Sequence, residues 1–286
     1  MKRILSIQDI SCFGKCSVTV ALPLISAMGV ECTVLPTAVL SAHTLFPDVV
    51  KTDLSGQLLP IARHFHKIGV SFDAICTGYL GSAEEVRAAQ EIFALLGTEQ
   101  TLLFVDPVMG DHGSFYRGFS ASYAEENAAL CGAADLIVPN LTEACLLTGT
   151  PYRTEYDRPY LEALLRKLTA LGAKTAVVTG VSFGPGKTGI MGLDARSGSF
   201  FSYQNEQVPA AFHGTGDIFS SVSAAALVRG LPVREAFALA ADFTAETIRE
   251  TLKHPKDSRC GVDFELLIPA LIRMLEERLS AAEKAD

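Results

Sequence analysis

At 286 residues, 49% of them hydrophobic and 20% charged, the chain has the composition of an ordinary globular protein and is long enough for one large α/β domain. A net charge of -8 with no clustered Lys/Arg run excludes a duplex-binding face and favours a small-molecule partner. The cysteines number seven, an odd count, and several sit in apolar runs, as in Ala74-Ile75-Cys76; they are expected to be reduced and buried. Cys12 and Cys16 have no second Cys/His pair at zinc-finger spacing, so a structural zinc site is not expected. Met1 to Ile7 lacks the apolar stretch of a signal peptide or membrane span and reads as a first strand, which predicts a cytoplasmic protein with no membrane association.

The predicted elements follow one rhythm. A strand over Arg3 to Gln8 runs into a polar loop, Gln8 to Lys15, and a helical pattern begins at Ser17 and continues through Val18, Leu22, Ile25 and Met28. A strand over Glu31 to Ala38 precedes Val39 to Pro47, which has no clean period and is a candidate binding loop. Then come a helix (Leu54 to Ile68), a strand (Phe72 to Thr77) closed by Gly78-Tyr79-Leu80-Gly81, and a helix capped by Ser82 and running to Leu96. The strand Leu102 to Val105 enters Asp106-Pro107-Val108-Met109-Gly110-Asp111, and the Gly-rich, polar segment 110 to 118 reads as a mobile flap. A helix (Tyr123 to Leu130), a strand (Leu136 to Val138), Pro139-Asn140 and a helix carrying Glu143 to about Gly149 continue the alternation.

From Leu161 a helix leads to a strand over Lys174 to Thr179; Gly189 to Leu193 and Ser199 to Gln204 form a hairpin pair. The last third is helical, over Gly216 to Arg229, Val233 to Leu252 and Phe264 to Leu279, with 281 to 286 expected to fray. Alternating apolar strands and helices predict a single α/β domain over 1 to 286, with a mostly parallel central sheet and helices on both faces. Ligands of such sheets sit at the carboxyl ends of the strands. Asp9, Thr44, Tyr79, Asp106, Asn140 and the loop at 214 to 217 all follow strands, so one cleft can hold them.

The stretch His213-Gly214-Thr215-Gly216-Asp217 feeds the buried helical pattern of Ile218, Phe219, Val222, Ala225 and Ala226. Backbone N–H groups at a helix start flanked by glycines suit an anion such as a phosphate. Asp217 is repelled by an anion there, which leaves it to accept a proton, hold a cation or cap the helix; a plain structural cap and a phosphoryl-transfer loop are both open on spacing alone. Gly184-Pro185-Gly186-Lys187-Thr188 mimics a phosphate-binding P-loop, but the glycine spacing fails and Gly189-Ile190-Met191-Gly192 behind it is strand-like, so it reads as a hairpin or nucleotide-rim loop. No G-x-G-x-x-G follows the first strand, which weighs against a dinucleotide-dependent dehydrogenase.

Taken together, Ser6-Ile7-Gln8, Ala42-His43-Thr44, Thr77-Gly78-Tyr79, Asp106 to Asp111, Pro139 to Glu143 and Gly214 to Asp217 resemble, in order and interval, the vitamin B6 kinases of the ribokinase superfamily, above all the bacterial pyridoxal/pyridoxamine kinases. The resemblance spans roughly Ile4 to Leu227. It implies a three-layer αβα fold and transfer of the γ-phosphoryl group of ATP to the 5'-hydroxyl of pyridoxamine, pyridoxal or pyridoxine. Asp217 would be the general base, and the amides of Gly214, Thr215 and Gly216 the anion hole. It further implies that Asp106 and Glu143 lie by the nucleotide phosphates with Mg2+ between, that K+ or Na+ can join them, and that Asn140 and Thr179 help place phosphates or cations. Thr44 and Tyr79 match substrate-side positions, His43 orders its loop, 110 to 118 is the lid, and the protein is a homodimer.

One departure stands out. Many B6 kinases have Ser after the Ile-Gln of the first strand, where this chain has Asp9; the acid either pairs with a cationic substrate group such as the aminomethyl of pyridoxamine or caps the turn at Ser11 or Cys12. Three rivals are weighed against this reading. Hydroxymethylpyrimidine kinases typically carry Cys where Asp217 stands; sugar kinases would show a Gly-Gly pair early in the chain; a non-catalytic vitamin-binding module needs no base beside an anion cradle.

Overall fold

The computed structural model describes residues 1–254 and 256–284. Its strands, in chain order, are β1 (Arg3–Ser11), β2 (Glu31–Leu40), β3 (Lys51–Asp53), β4 (Ala74–Thr77), β5 (Leu102–Val105), β6 (Gly110–Asp111), β7 (Ser114–Phe115), β8 (Leu136–Ile137), β9 (Thr175–Val181), β10 (Lys187–Asp194) and β11 (Ser199–Glu206). The helices are α1 (Val18–Ala27), α2 (Ser55–Lys67), α3 (Ala83–Leu96), α4 (Ala121–Gly132), α5 (Leu141–Thr148), α6 (Arg158–Ala170), α7 (Thr215–Val228), α8 (Val233–Thr251) and α9 (Ile268–Glu283).

Nine strands form one sheet in the order β11-β10-β9-β8-β5-β4-β1-β2-β3. Every pairing from β2 through β1, β4, β5 and β8 to β9 is parallel, while β3 and β10 run antiparallel to their neighbours. Two apolar cores flank this sheet because side chains alternate along each strand. Leu5 and Ile7 of β1 and Ile75 of β4 face one core, with Leu58 of α2, Val86 of α3, Leu130 of α4, Ala144 of α5 and Leu161 of α6. Ile4, Ala74 and Phe104 face the other, with Leu24 of α1, Ile218 of α7, Phe237 of α8 and Leu271 of α9. The alternation of elements predicts this layered sheet, and the resemblance implies its three-layer ribokinase-like form.

The expected boundaries need correction at several points. β1 extends to Ser11, so Asp9 is a strand residue and not part of a loop after the strand. Lys51–Asp53 forms an edge strand whose three residues are all exposed, leaving no apolar alternation to reveal it. The first helical residue of α6 is Arg158, where Asp157 caps the turn by accepting from Tyr160 N, earlier than the first apolar position at Leu161. Segment 110 to 118 begins as a short hairpin, β6 and β7. Gly186 lies in the turn before β10, and Lys187 and Thr188 are already strand residues, so the P-loop mimic is a hairpin. At the far end α9 is helical through Glu283, against the expected fraying from 281, and residues 285 and 286 lie outside those described. Cys12 is exposed, unlike the buried cysteines expected, and no helix of the described residues is long and apolar enough to cross a membrane.

Candidate active site

Parallel strands all point the same way, so the loops that leave their carboxyl ends meet on one edge of the sheet. There they enclose a cavity of about 1130 Å³. Asp9, Thr44, Tyr79, Asp106, Asn140, Glu143, Thr179 and Gly214 to Asp217, every site residue expected from sequence, line this cavity.

The floor of the cavity is the start of α7. Its N-cap is Gly214 at φ 80°, and a Cβ there would overlap the carbonyl oxygen of Lys15, so both the left-handed backbone and the close approach of two loops require glycine. The N-cap makes no side-chain capping bond, and Asp217 lies inside the first turn, which sets aside the capping reading of this carboxylate. Intrahelical bonding starts with Ile218 N donating to Gly214 O at 3.1 Å, so the N–H groups of Thr215 and Gly216 are, among the described residues, unpaired donors of a helix start. Nothing lies within 4 Å of where a Cβ would stand on Gly216, leaving its backbone open to the cavity. Burial pushes the Asp217 carboxyl up to about 7, with repulsion from Asp106 and Asp9 adding to the shift and the Ser17 backbone N–H opposing it.

Across the cavity, Asp106 leaves the end of β5 and Glu143 sits in the first turn of α5. Asn140 and Glu143 form a reciprocal capping box: Asn140 Oδ1 accepts from Glu143 N at 2.9 Å and Glu143 Oε2 accepts from Asn140 N at 2.9 Å. Glu143 Oε1 accepts from Met109 N at 3.0 Å, and Asn140 Nδ2 donates to Gly110 O at 2.8 Å, so this cap also grips the base of the β6–β7 hairpin. Ser220 Oγ donates to Asp106 Oδ2 at 2.6 Å. Both carboxyls are raised above the usual range by burial, Glu143 also by the neighbouring Asp106. Among the described residues no Lys or Arg pairs with either one, and no cluster of three or more metal-ligating side chains occurs.

Asp9 is buried at 3% exposure, with Oδ1 accepting from Ser17 Oγ at 2.6 Å and Oδ2 from Ser11 Oγ at 2.7 Å. Of these two bonds the turn-capping alternative at Ser11 or Cys12 covers the one from Ser11, while Ser17 lies outside that turn; each oxygen keeps a further lone pair. Ser17 stands at φ 50° and ψ -131°, a conformation held by the surrounding loops at the start of α1. Tyr79 packs its ring on Phe119 with centroids 5.6 Å apart. Thr44 is exposed at the mouth of the cavity. His43 Nδ1 accepts from Leu45 N at 3.3 Å, which makes Nε2 the protonated nitrogen; it donates to Arg259 O at 2.7 Å and orders the loop as expected.

Sequence reasoning missed His213, Ser220, Tyr116 and Arg259 as cavity residues. The His213 ring stacks on His43 at 3.7 Å, and burial lowers its pKa to about 4, so it is neutral at physiological pH. His213 was within reach of sequence, since it adjoins Gly214. Arg259 follows no sheet strand and carried no signal.

Comparison with known proteins bears on this geometry. The profile of the phosphomethylpyrimidine kinase family matches residues 22–260. The chain belongs to that family. Among its relatives, pyridoxal kinase PdxY of Aliivibrio fischeri is 31% identical over 265 residues, covering 83% of this chain and 85% of the relative. The crystal structure of pyridoxal kinase from Lactobacillus plantarum superposes with a TM-score of 0.87 at 34% identity, covering 97% of this chain and 99% of that one. A Bacteroides thetaiotaomicron protein solved in an orthorhombic form with pyridoxal gives a TM-score of 0.90 at 33% identity, covering 94% and 95% of the two chains. The ribokinase-like fold and a kinase activity for this member of the phosphomethylpyrimidine kinase family rest on these matches as well as on the motifs.

Proposed function

We propose that this protein transfers the γ-phosphoryl group of ATP to the 5'-hydroxyl of a B6 vitamer. The observation that carries the reading is the placement of Asp217 beside the unpaired first-turn amides of α7, in one cavity with Asp106 and Glu143. Relatives named pyridoxal kinase and a neighbour crystallised with pyridoxal support the substrate class. The Asp217 carboxylate takes the proton of the attacking hydroxyl, while the N–H groups of Gly214, Thr215 and Gly216 hold the charge on the phosphoryl oxygens. Transfer needs little else from the protein, because positioning and charge stabilisation dominate phosphoryl chemistry.

Asp106 and Glu143 fit a hard divalent cation. They are paired buried carboxylates without a cationic partner, the Ser220 bond occupies only one Asp106 oxygen, and Mg2+ characteristically takes one or two carboxylates plus substrate phosphates. When bound, Mg2+ neutralises charge on the triphosphate. Asp106 and Glu143 would hold the ion, and the backbone amides that donate to both Glu143 oxygens fix that carboxylate in place. Thr179 and Asn140 border the nucleotide phosphates, where K+ or Na+ can join. Asp9, Thr44 and Tyr79 line the vitamer side, and the 110–118 hairpin closes to exclude water from the phosphoryl group. The working unit is a single domain in a cytoplasmic homodimer.

Hydroxymethylpyrimidine phosphorylation, suggested by the family's description, is the second reading; Asp at 217 in place of Cys weighs against it. A coupled ADP-release assay with Mg-ATP and a panel of B6 vitamers and hydroxymethylpyrimidine decides between them. Turnover with a vitamer is expected, and Asp217→Asn should lower it by at least about a hundredfold, the usual worth of a general base. Preference for the pyrimidine, or comparable turnover in the variant, would refute the assignment.

A further inference from the structure

Beside the active-site cavity, between the sheet and α7, lies a second, small space of about 20 Å³ that the proposed chemistry does not use. Its walls come from Ser6 and Gln8 of β1, Thr77 and Gly78 at the end of β4, Phe104 and Asp106 around the end of β5, Ala21 and Ile25 of α1, and the sheet-facing side of α7. That side carries Asp217, Ser220, Ser221 and Ala224, spaced three and four residues apart so that all point at the strands. Polar groups interrupt a lining that is otherwise apolar, with Ala21, Ile25, Phe104 and Ala224 around them. Gln8, 7% exposed, donates through Nε2 to Ser6 Oγ at 2.8 Å, and its Oε1 has no donor among the described residues. Ser221 is also 7% exposed, and Thr77 Oγ1, on the same lining, is buried with no hydrogen-bond partner among the described residues. Gly78 leaves the room for this arrangement, because a Cβ there would overlap Gln8 Oε1.

Buried polar atoms without partners are costly, and a polar cavity of this size holds one water when at least two groups can bond it. We propose that this space binds a single structural water, held by Gln8 Oε1 and the Ser221 hydroxyl, which braces the sheet side of the Asp217 carboxylate. Gln8 and Ser221 are then positioning residues: they keep the base aimed at the cavity without touching substrate. The Ser6-Ile7-Gln8 motif acquires a role that no substrate contact provides. The proposal rests on Asp217 being the base, but the water itself can be seen independently of that assignment.

The test has two arms. A crystal structure of the native protein at high resolution should show one peak in this space within hydrogen-bonding distance of Gln8 Oε1 and Ser221 Oγ. A dry space, or a peak with the short, five- or six-oxygen coordination of a cation, overturns the proposal. In parallel, Ser221→Ala and Gln8→Met should each lower kcat about fivefold to tenfold, the worth of one hydrogen bond, with KM for ATP and vitamer unchanged. Because both act through one water, the double variant should be no slower than the slower single. Multiplying effects, or a rise in KM without a fall in kcat, would refute it. Should either variant fail to fold, the native density decides alone; activity in Asp217→Asn would overturn the base assignment and leave the water in place.

Discussion

The hydroxyl of Ser220 donates to Oδ2 of Asp106 at 2.6 Å, joining the helix that carries Asp217 to the end of β5 across 114 residues of sequence. One bond thus couples the two proposed sides of the reaction: Ser220 lies one turn beyond Asp217, the proposed base, and Asp106 is the residue proposed for the nucleotide side.

Ser220→Ala removes this bond to a buried carboxylate. Since hydrogen bonds to charged groups are worth about 1.5–3 kcal/mol, KM for Mg-ATP should rise about tenfold while KM for the vitamer stays nearly constant. Initial-rate kinetics with each substrate varied in turn would check this; an equal rise in both constants would count against the division of the cavity.

Asp217 makes a prediction about pH in two directions. Its carboxyl is raised from the usual 3.8 to about 7, so a reaction that needs it ionised should fall off below about pH 7. Between those values the folded protein binds a proton that the unfolded chain does not, so stability decreases as pH rises through the window and stays lower above it. Asp217→Asn, with no carboxyl to ionise, should melt higher than the native protein at pH 8, and the gap should close as pH falls towards 4. Thermal melts across this range would show a constant gap if the shift were absent.

The two loop glycines should separate fold from chemistry. Gly214→Ala forces a side chain into the left-handed region and into the Lys15 carbonyl, and should destabilise the protein by more than about 1 kcal/mol. Gly216→Ala meets nothing within 4 Å, so its melting temperature should barely move, yet its methyl enters the space assigned to the phosphoryl oxygens and kcat should drop at least about tenfold. Full activity in folded Gly216→Ala would remove the anion hole from the mechanism.

Asp9 offers a test of vitamer choice. With its oxygens already accepting from Ser11 and Ser17, it retains a lone pair on each for a cationic substrate group. Asp9→Ser should lower kcat/KM for pyridoxamine relative to pyridoxal and pyridoxine by about tenfold, the loss of one charge-assisted bond. An unchanged ratio assigns Asp9 to the turn alone.

Much of this molecule was legible in the chain before folding. The alternation of apolar strands and helices determined the layered sheet, since a strand buried on both faces reads as an unbroken apolar run. Gly214-Thr215-Gly216-Asp217 and Asn140-Leu141-Thr142-Glu143 carried their helix starts locally, because caps and glycine turns depend on residues only a few positions apart. Edge strand Lys51–Asp53 escaped because an exposed strand has no apolar face to keep.

Only the tertiary structure decided which polar groups meet. Ser220 on Asp106, Ser17 on Asp9, His213 on His43 and Arg259 O on His43 are pairings between distant segments, set by how helices and loops dock on the sheet. No periodicity encodes such a contact. The same holds for the raised pKa values of Asp106, Glu143 and Asp217: a carboxyl side chain is the same in any sequence, and it is burial in the assembled cavity that changes how tightly it keeps its proton.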